Sequence, residues 1–126
     1  MTYAERHSVT VASIADGSGT GYTPVITGKI LNVIYTKAAA GVAYADTVDF
    51  TITAESSGLT IWDEDNVTAT KTVCPKQATH TTVGVANDTA GDVLLGDVFV
   101  ASERVKIEIA GAGDTKTGTF VVIVGG

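Results

Sequence analysis

The chain holds one cysteine, one tryptophan, two prolines and eight basic residues in 126 positions. Each scarcity removes a class of explanation. A lone Cys74 cannot close an internal disulfide, so stability has to come from packing and strand pairing, and the thiol is expected to be a small buried apolar residue. Eight Lys and Arg against fourteen Asp and Glu leave a net charge of −6. A surface that neutralises a phosphate backbone needs the opposite sign, so nucleic acid is not an expected partner. No run approaches the roughly 18 continuous apolar residues that span a bilayer, and the opening stretch MTYAERHSVTV lacks the basic-then-apolar order of a secretion signal. Neither a membrane nor an export route is expected. The sequons Asn66-Val67-Thr68 and Asn87-Asp88-Thr89 therefore carry no weight as glycosylation sites.

What is abundant points one way. Thr, Val and Ile number 20, 17 and 9, and these β-branched types favour a pleated, half-buried surface over a helix. HSVTVASI, residues 7–14, sets Val9 and Val11 on one face with Ser8 and Thr10 opposite, the period-two mark of a strand. DGSGTGYTP, residues 16–24, breaks it with turn chemistry. VITGKILNVIYTK reads as a long strand apolar on both faces, which predicts a central position or cover by a neighbour. AAAGVAYAD, residues 38–46, is too short and glycine-broken for a helix and reads as a loop.

TVDFTITA alternates cleanly, with Val48, Phe50, Ile52 and Ala54 on one face. With SSG at 56–58 and LTIWDEDNV it predicts a hairpin over 47–67. TATKTV leads weakly to Cys74 and stops at Pro75, which cannot donate to a ladder. The polar segment from Lys76 to Asp92 has little periodicity and is expected to be the longest irregular connection, a place for contacts. DVFVASERVKIEIA places Val105, Ile107 and Ile109 inside and Arg104, Lys106 and Glu108 outside. The turn spacing predicts an all-β chain: a single antiparallel β-sandwich or jelly-roll-like domain of about seven or eight strands over residues 1–126, with a short N-terminal arm at 1–7.

Motifs that carry chemistry are missing or incomplete. GAGDTKTG before a β-branched run lacks the glycine ahead of Lys116 and the following helix that a phosphate loop needs, so it predicts a hairpin turn with Gly111, Gly113 and Gly118 serving backbone geometry. Asp63, Glu64, Asp65 and Asn66 lack the glycine and distal glutamate of a calcium loop. His7 and His80 sit in no metal-ligand spacing, and Cys74 has no neighbouring base. Asp49 and Glu55 form a pair that any acidic surface offers, which is no basis for a glycosidase. No catalytic, cofactor or metal residue is assigned, and no enzyme is expected.

That leaves contact with other proteins. Trp62 is balanced between the core and an interface, lying opposite Ile61 if the strand alternates. The contact surfaces expected are the arm with Tyr3, Arg6 and His7, the Trp62 region, and the loop that holds Lys76 and His80.

The order DGSGTGYTPVITGKI, DFTITAESSGLTIWDEDNV, CPKQATH, SERVKIEIAGAGDTKTGTFVVIVGG resembles a family of small tailed-bacteriophage structural proteins encoded among the head genes. The resemblance spans nearly the whole chain and carries over no functional residue. It implies a capsid decoration or cement protein, a β-sandwich or jelly-roll module that sits on the capsid surface of the virion after assembly in the bacterial cytoplasm. Its implied partners are the major capsid protein and its own copies, as a dimer or trimer. Two other roles remain open at this point: a tail or head-completion subunit, and a glycan-binding sandwich stacking sugars on Tyr22, Tyr44 and Trp62.

Overall fold

The computed structural model describes residues 3–89 and 93–126. Met1, Thr2 and residues 90–92, which belong to the expected arm and the expected contact loop, lie outside the described residues. Strands follow one another in the order β1 (Ala4–Ala12), β2 (Gly19–Tyr22), β3 (Ile26–Lys37), β4 (Asp49–Ala54), β5 (Thr60–Glu64), β6 (Lys71–Val73), β7 (Lys76–Ala78), β8 (Leu95–Asp97), β9 (Phe99–Glu103), β10 (Val105–Ala110) and β11 (Thr117–Gly125). No helix occurs among the described residues.

All strand pairings are antiparallel. One sheet runs β1-β11-β3-β6, with β9 joining the same side of β3 as β6 but nearer its start. A second runs β2-β10-β4-β5, and β7 with β8 forms a separate two-stranded ribbon. The chain changes sheet at almost every connection, so apolar faces from both sheets meet in one core. Eleven strands among the described residues exceed the seven or eight expected. The surplus is β6, β7 and β8, three residues each, too short for alternation to register.

The alternating stretches fold as their pattern dictates. Val48, Phe50, Ile52 and Ala54 are fully buried, as are Val105 and Ile107. β3, apolar on both faces, has a neighbour on each side. At the centre Phe50 meets Phe120, Tyr35 and Trp62 edge to face, with ring centroids 4.9, 4.8 and 5.3 Å apart, the geometry that aligns positive ring edges with negative faces. Tyr44 enters this cluster from the 38–46 loop, stacked on Tyr35 at 5.9 Å, and donates its hydroxyl to the Val11 carbonyl. Burial pushes the Tyr44 phenol well above its ordinary range. Gly118 is part of the same arrangement, since a Cβ there would run into the rings of Tyr44 and Tyr35.

Several expectations are corrected. Pairing of β1 with β11 begins at Ala4, so the segment from Ala4 to His7 is strand and not arm. Ile61 and Trp62 do not face opposite ways: both are buried, because Ile52 pairs with Trp62 and Thr53 with Thr60, leaving Ile61 as the extra residue of a bulge. Two successive residues on one strand then oppose one on the other, and simple alternation fails. Cys74 is exposed, not buried, between the end of β6 and Pro75. GAGDTKTG is a turn but not a hairpin, since β10 and β11 belong to different sheets. Ser13 clamps that crossing: its hydroxyl donates to Gly113 O at 2.6 Å and accepts from Lys116 N at 2.8 Å.

Candidate protein-binding surface

Beyond Pro75 the chain leaves the body, returning at Val98. The excursion is an arm whose described residues pair at the root, Lys76–Ala78 with Leu95–Asp97, and bridge at His80 and Ala86, while the rest of 79–89 is irregular as expected. Lys76 pairs with Asp97 at its root, Lys29 of β3 reaches the same carboxylate at 3.5 Å, and Gln77 Nε2 donates to Asp97 O at 3.2 Å. The hydrogen bond from Lys76, joined by the nearby Lys29 charge, holds the Asp97 carboxyl below its ordinary range, and Asp97 in turn raises Lys76. Further out, Thr79 N donates to Leu94 O at 2.9 Å and Asn87 N to Thr79 O at 2.7 Å. At the tip Thr81 N bonds Val85 O, with Gly84 at φ +82° making the turn. Among the described residues, these backbone bonds join the arm to itself.

Its apolar side chains are left exposed. Val83 is 82% exposed, and Val85, Val93, Leu94 and Leu95 are each more than half exposed, as is Phe99 just beyond the root. Scattered apolar residues on a surface need no explanation, but a run of them on one projecting element is a mark of protein contact. The body also exposes Ile14 and Val25, but singly; among its described residues no buried side-chain polar atom lacks a partner, and no three His, Cys, Asp or Glu gather as a metal would require.

The residues singled out from sequence fall into three places. Tyr3, Arg6 and His7 lie at the start of β1, where Tyr3 is about half exposed, Arg6 is exposed and His7 is half-buried with its Nε2 3.3 Å from Glu5. Lys76 and His80 lie on the arm: Lys76 is engaged in the root ion pair, and His80 is exposed and bridged to Ala86. Trp62 is in the core, 5% exposed, its Nε1 donating to Glu64 at 3.0 Å, so it is no surface anchor. β1 and the arm flank opposite edges of one sheet, with three strand spacings between β1 and the β6/β9 side, about 14 Å.

The apolar residues of the arm were missed. Their signal was the unbroken run Val93-Leu94-Leu95 and the Val83-Gly84-Val85 triplet, apolar stretches with no alternating partner face. The aromatics that a sugar site would use are committed elsewhere: Tyr44 and Trp62 are buried, and the Arg104 guanidinium lies over the Tyr22 ring at 3.9 Å. Models of known protein families and the sequences of characterised proteins yield no match to this chain.

Proposed function

We propose that the chain is a structural protein of a tailed-phage virion, a capsid decoration or cement protein whose arm docks on the major capsid protein. The finer fold in this reading is a β-sandwich of jelly-roll type. The observation that carries it is the arm: a hydrogen-bonded excursion presenting five large apolar side chains to solvent beside a body with its own buried core. Weak contacts of that kind, repeated over a symmetric shell, add up through multivalency. The net charge of −6 orients the module toward basic patches more than it adds affinity.

The test is co-sedimentation with shells assembled from the major capsid protein of the same genome. The protein is expected in the pellet, saturating at a fixed ratio to capsid subunits. A chain with residues 79–94 replaced by Asn-Gly, which leaves β7 and β8 joined by a tight turn, is expected in the supernatant. Failure of the parent protein to pellet at any ratio refutes the capsid role, and binding to purified tails alone transfers it to a tail or head-completion subunit.

A further inference from the structure

The free edges of the two large sheets are built differently. The second sheet ends in β2, four residues followed closely by Pro24, and in β5, five residues interrupted by a bulge and carrying exposed Asp63. The far side of the first sheet is divided between β6, three residues long and stopped by Pro75, and β9, whose ladder shifts register and holds Ser102 at φ +50°. Shortness, proline, bulges and charge are the usual means by which an exposed strand is kept from pairing with another chain.

β1 has none of the first three. It is nine residues long, contains no proline or glycine, and pairs with β11 without a register break from Ala4–Gly125 to Ala12–Thr117. Its last residues run close to β2, where side chains in place of Gly19 and Gly21 would strike Ala12, Val11 and Val9. The stretch Ala4–Ser8 is open: on the side away from β11 its backbone has no partner among the described residues. It does carry charge, but of both signs, in Glu5 and Arg6.

We infer that β1 pairs edge to edge with β1 of a second copy, antiparallel about a twofold axis at Arg6. A twofold between antiparallel strands keeps each side chain on its own face, so it must pass through a residue, and Arg6 is the midpoint of the open stretch. Ala4 then lies opposite Ser8 of the copy, and Glu5 opposite His7, each twice. Glu5 already lies 3.3 Å from His7 in its own chain. In the pair each carboxylate has an imidazole both along the strand and across it, an arrangement that favours the copy over a strand of uniform charge. Centring on Glu5 would set two carboxylates face to face, and centring on His7 would set Glu5 against Val9. The one like-charged contact, Arg6 with its copy, falls on the outer face, where long side chains diverge into water. The four-strand path β1-β11-β3-β6 becomes a continuous path of eight strands, in a sheet of ten that includes β9 of each copy. This pairing involves neither the arm nor the virion role.

The experiment is sedimentation equilibrium of the full chain from micromolar to near-millimolar concentration, with hydrogen exchange on the same samples. The parent is expected as a dimer, with amides in 4–8 protected more strongly in the dimer than at the lowest concentration. Glu5→Arg removes the carboxylate that faces the His7 imidazole across the axis and sets a guanidinium in its place, and is expected to weaken dimerisation by about tenfold or more. Glu5→Arg combined with His7→Glu sets a guanidinium against a carboxylate across the axis and is expected to recover it. Circular dichroism identical to the parent confirms that each variant folds, which the exposure of Glu5 favours. A parent that stays monomeric throughout overturns the inference, including the case in which this edge binds a strand of some other protein. So does a dimer indifferent to Glu5→Arg or one lost on replacing residues 79–94.

Discussion

Replacing Glu103 by glutamine tests how the two sheets are tied at one end. Glu103 sits on β9 of the first sheet, 7% exposed, and its Oε1 accepts from Ser56 N at 2.9 Å, Ser57 N at 3.0 Å and Ser57 Oγ at 3.3 Å. Those donors belong to the turn joining β4 and β5 in the second sheet, so one carboxylate orients a hairpin of the opposite layer. Hydrogen bonds to a charged acceptor are worth about 1.5–3 kcal/mol and neutral ones about 0.5–1.5. Glutamine keeps an acceptor oxygen but loses the charge, costing about 1 kcal/mol for each of the two backbone bonds and about 2 kcal/mol together at pH 7. For a chain of this size that lowers the melting temperature by roughly 8 °C.

The pH dependence separates this cause from a packing defect. The Ser57 and Ser56 amides hold the Glu103 carboxyl below its ordinary value of 4.5. A folded-state value below the unfolded one means that the contribution is complete above the unfolded value and is lost as pH falls through the folded value. Wild type and Glu103→Gln share every other titrating group, so the difference between their urea-unfolding free energies isolates this one. The gap of about 2 kcal/mol at pH 7 is expected to hold down to about pH 5 and to shrink steadily toward pH 3 and below. A gap of the same size at pH 7 and at the acid limit refutes the argument, because shape and packing do not titrate.

Two further outcomes follow from the core and from the cysteine. Gly118→Ala drives a methyl group into the stacked Tyr35 and Tyr44 rings and is expected to cost about 2 kcal/mol in urea unfolding, with an altered near-ultraviolet tyrosine signal. A change within about 0.5 kcal/mol would show that the stack yields freely. Cys74, exposed in the fold, is expected to react with a thiol reagent in the native protein as fast as in the unfolded chain. Labelling that waits on unfolding contradicts the placement.

The fold was legible where burial is one-sided and the strand unbroken. Val48 to Ala54 and Val105 to Ile109 alternate because each strand has one dry face, and the pattern records that directly. It fails where a backbone irregularity decouples position from face. The Ile61 bulge turns Trp62 inward, and no property of IWDEDN distinguishes it from a regular strand end. The burial of Tyr44 is illegible for a related reason: a loop has no period, so its burial depends on the room left by Gly118, seventy-four residues away. Cys74 was misjudged because its type is usually buried, while its position between a three-residue edge strand and Pro75 exposes it.

The same contrast explains why the candidate surface was half visible. Lys76 and His80 drew attention to the right segment by polarity, although Lys76 spends its charge on Asp97 and the exposed apolar groups lie further along. An apolar run contributes to a core only when its chain lies against the other sheet. Between Lys76 and Asp97 the described residues bond mainly to one another, with the root ion pairs and Gln77 fixing the departure from the body. Val93, Leu94 and Leu95 are therefore exposed by topology, since the two strands that could cover them already cover each other's backbone. A partner, then, has chiefly to supply apolar surface, because the backbone bonds the arm makes among its described residues already fix how Val83, Val85, Leu94 and Leu95 are presented.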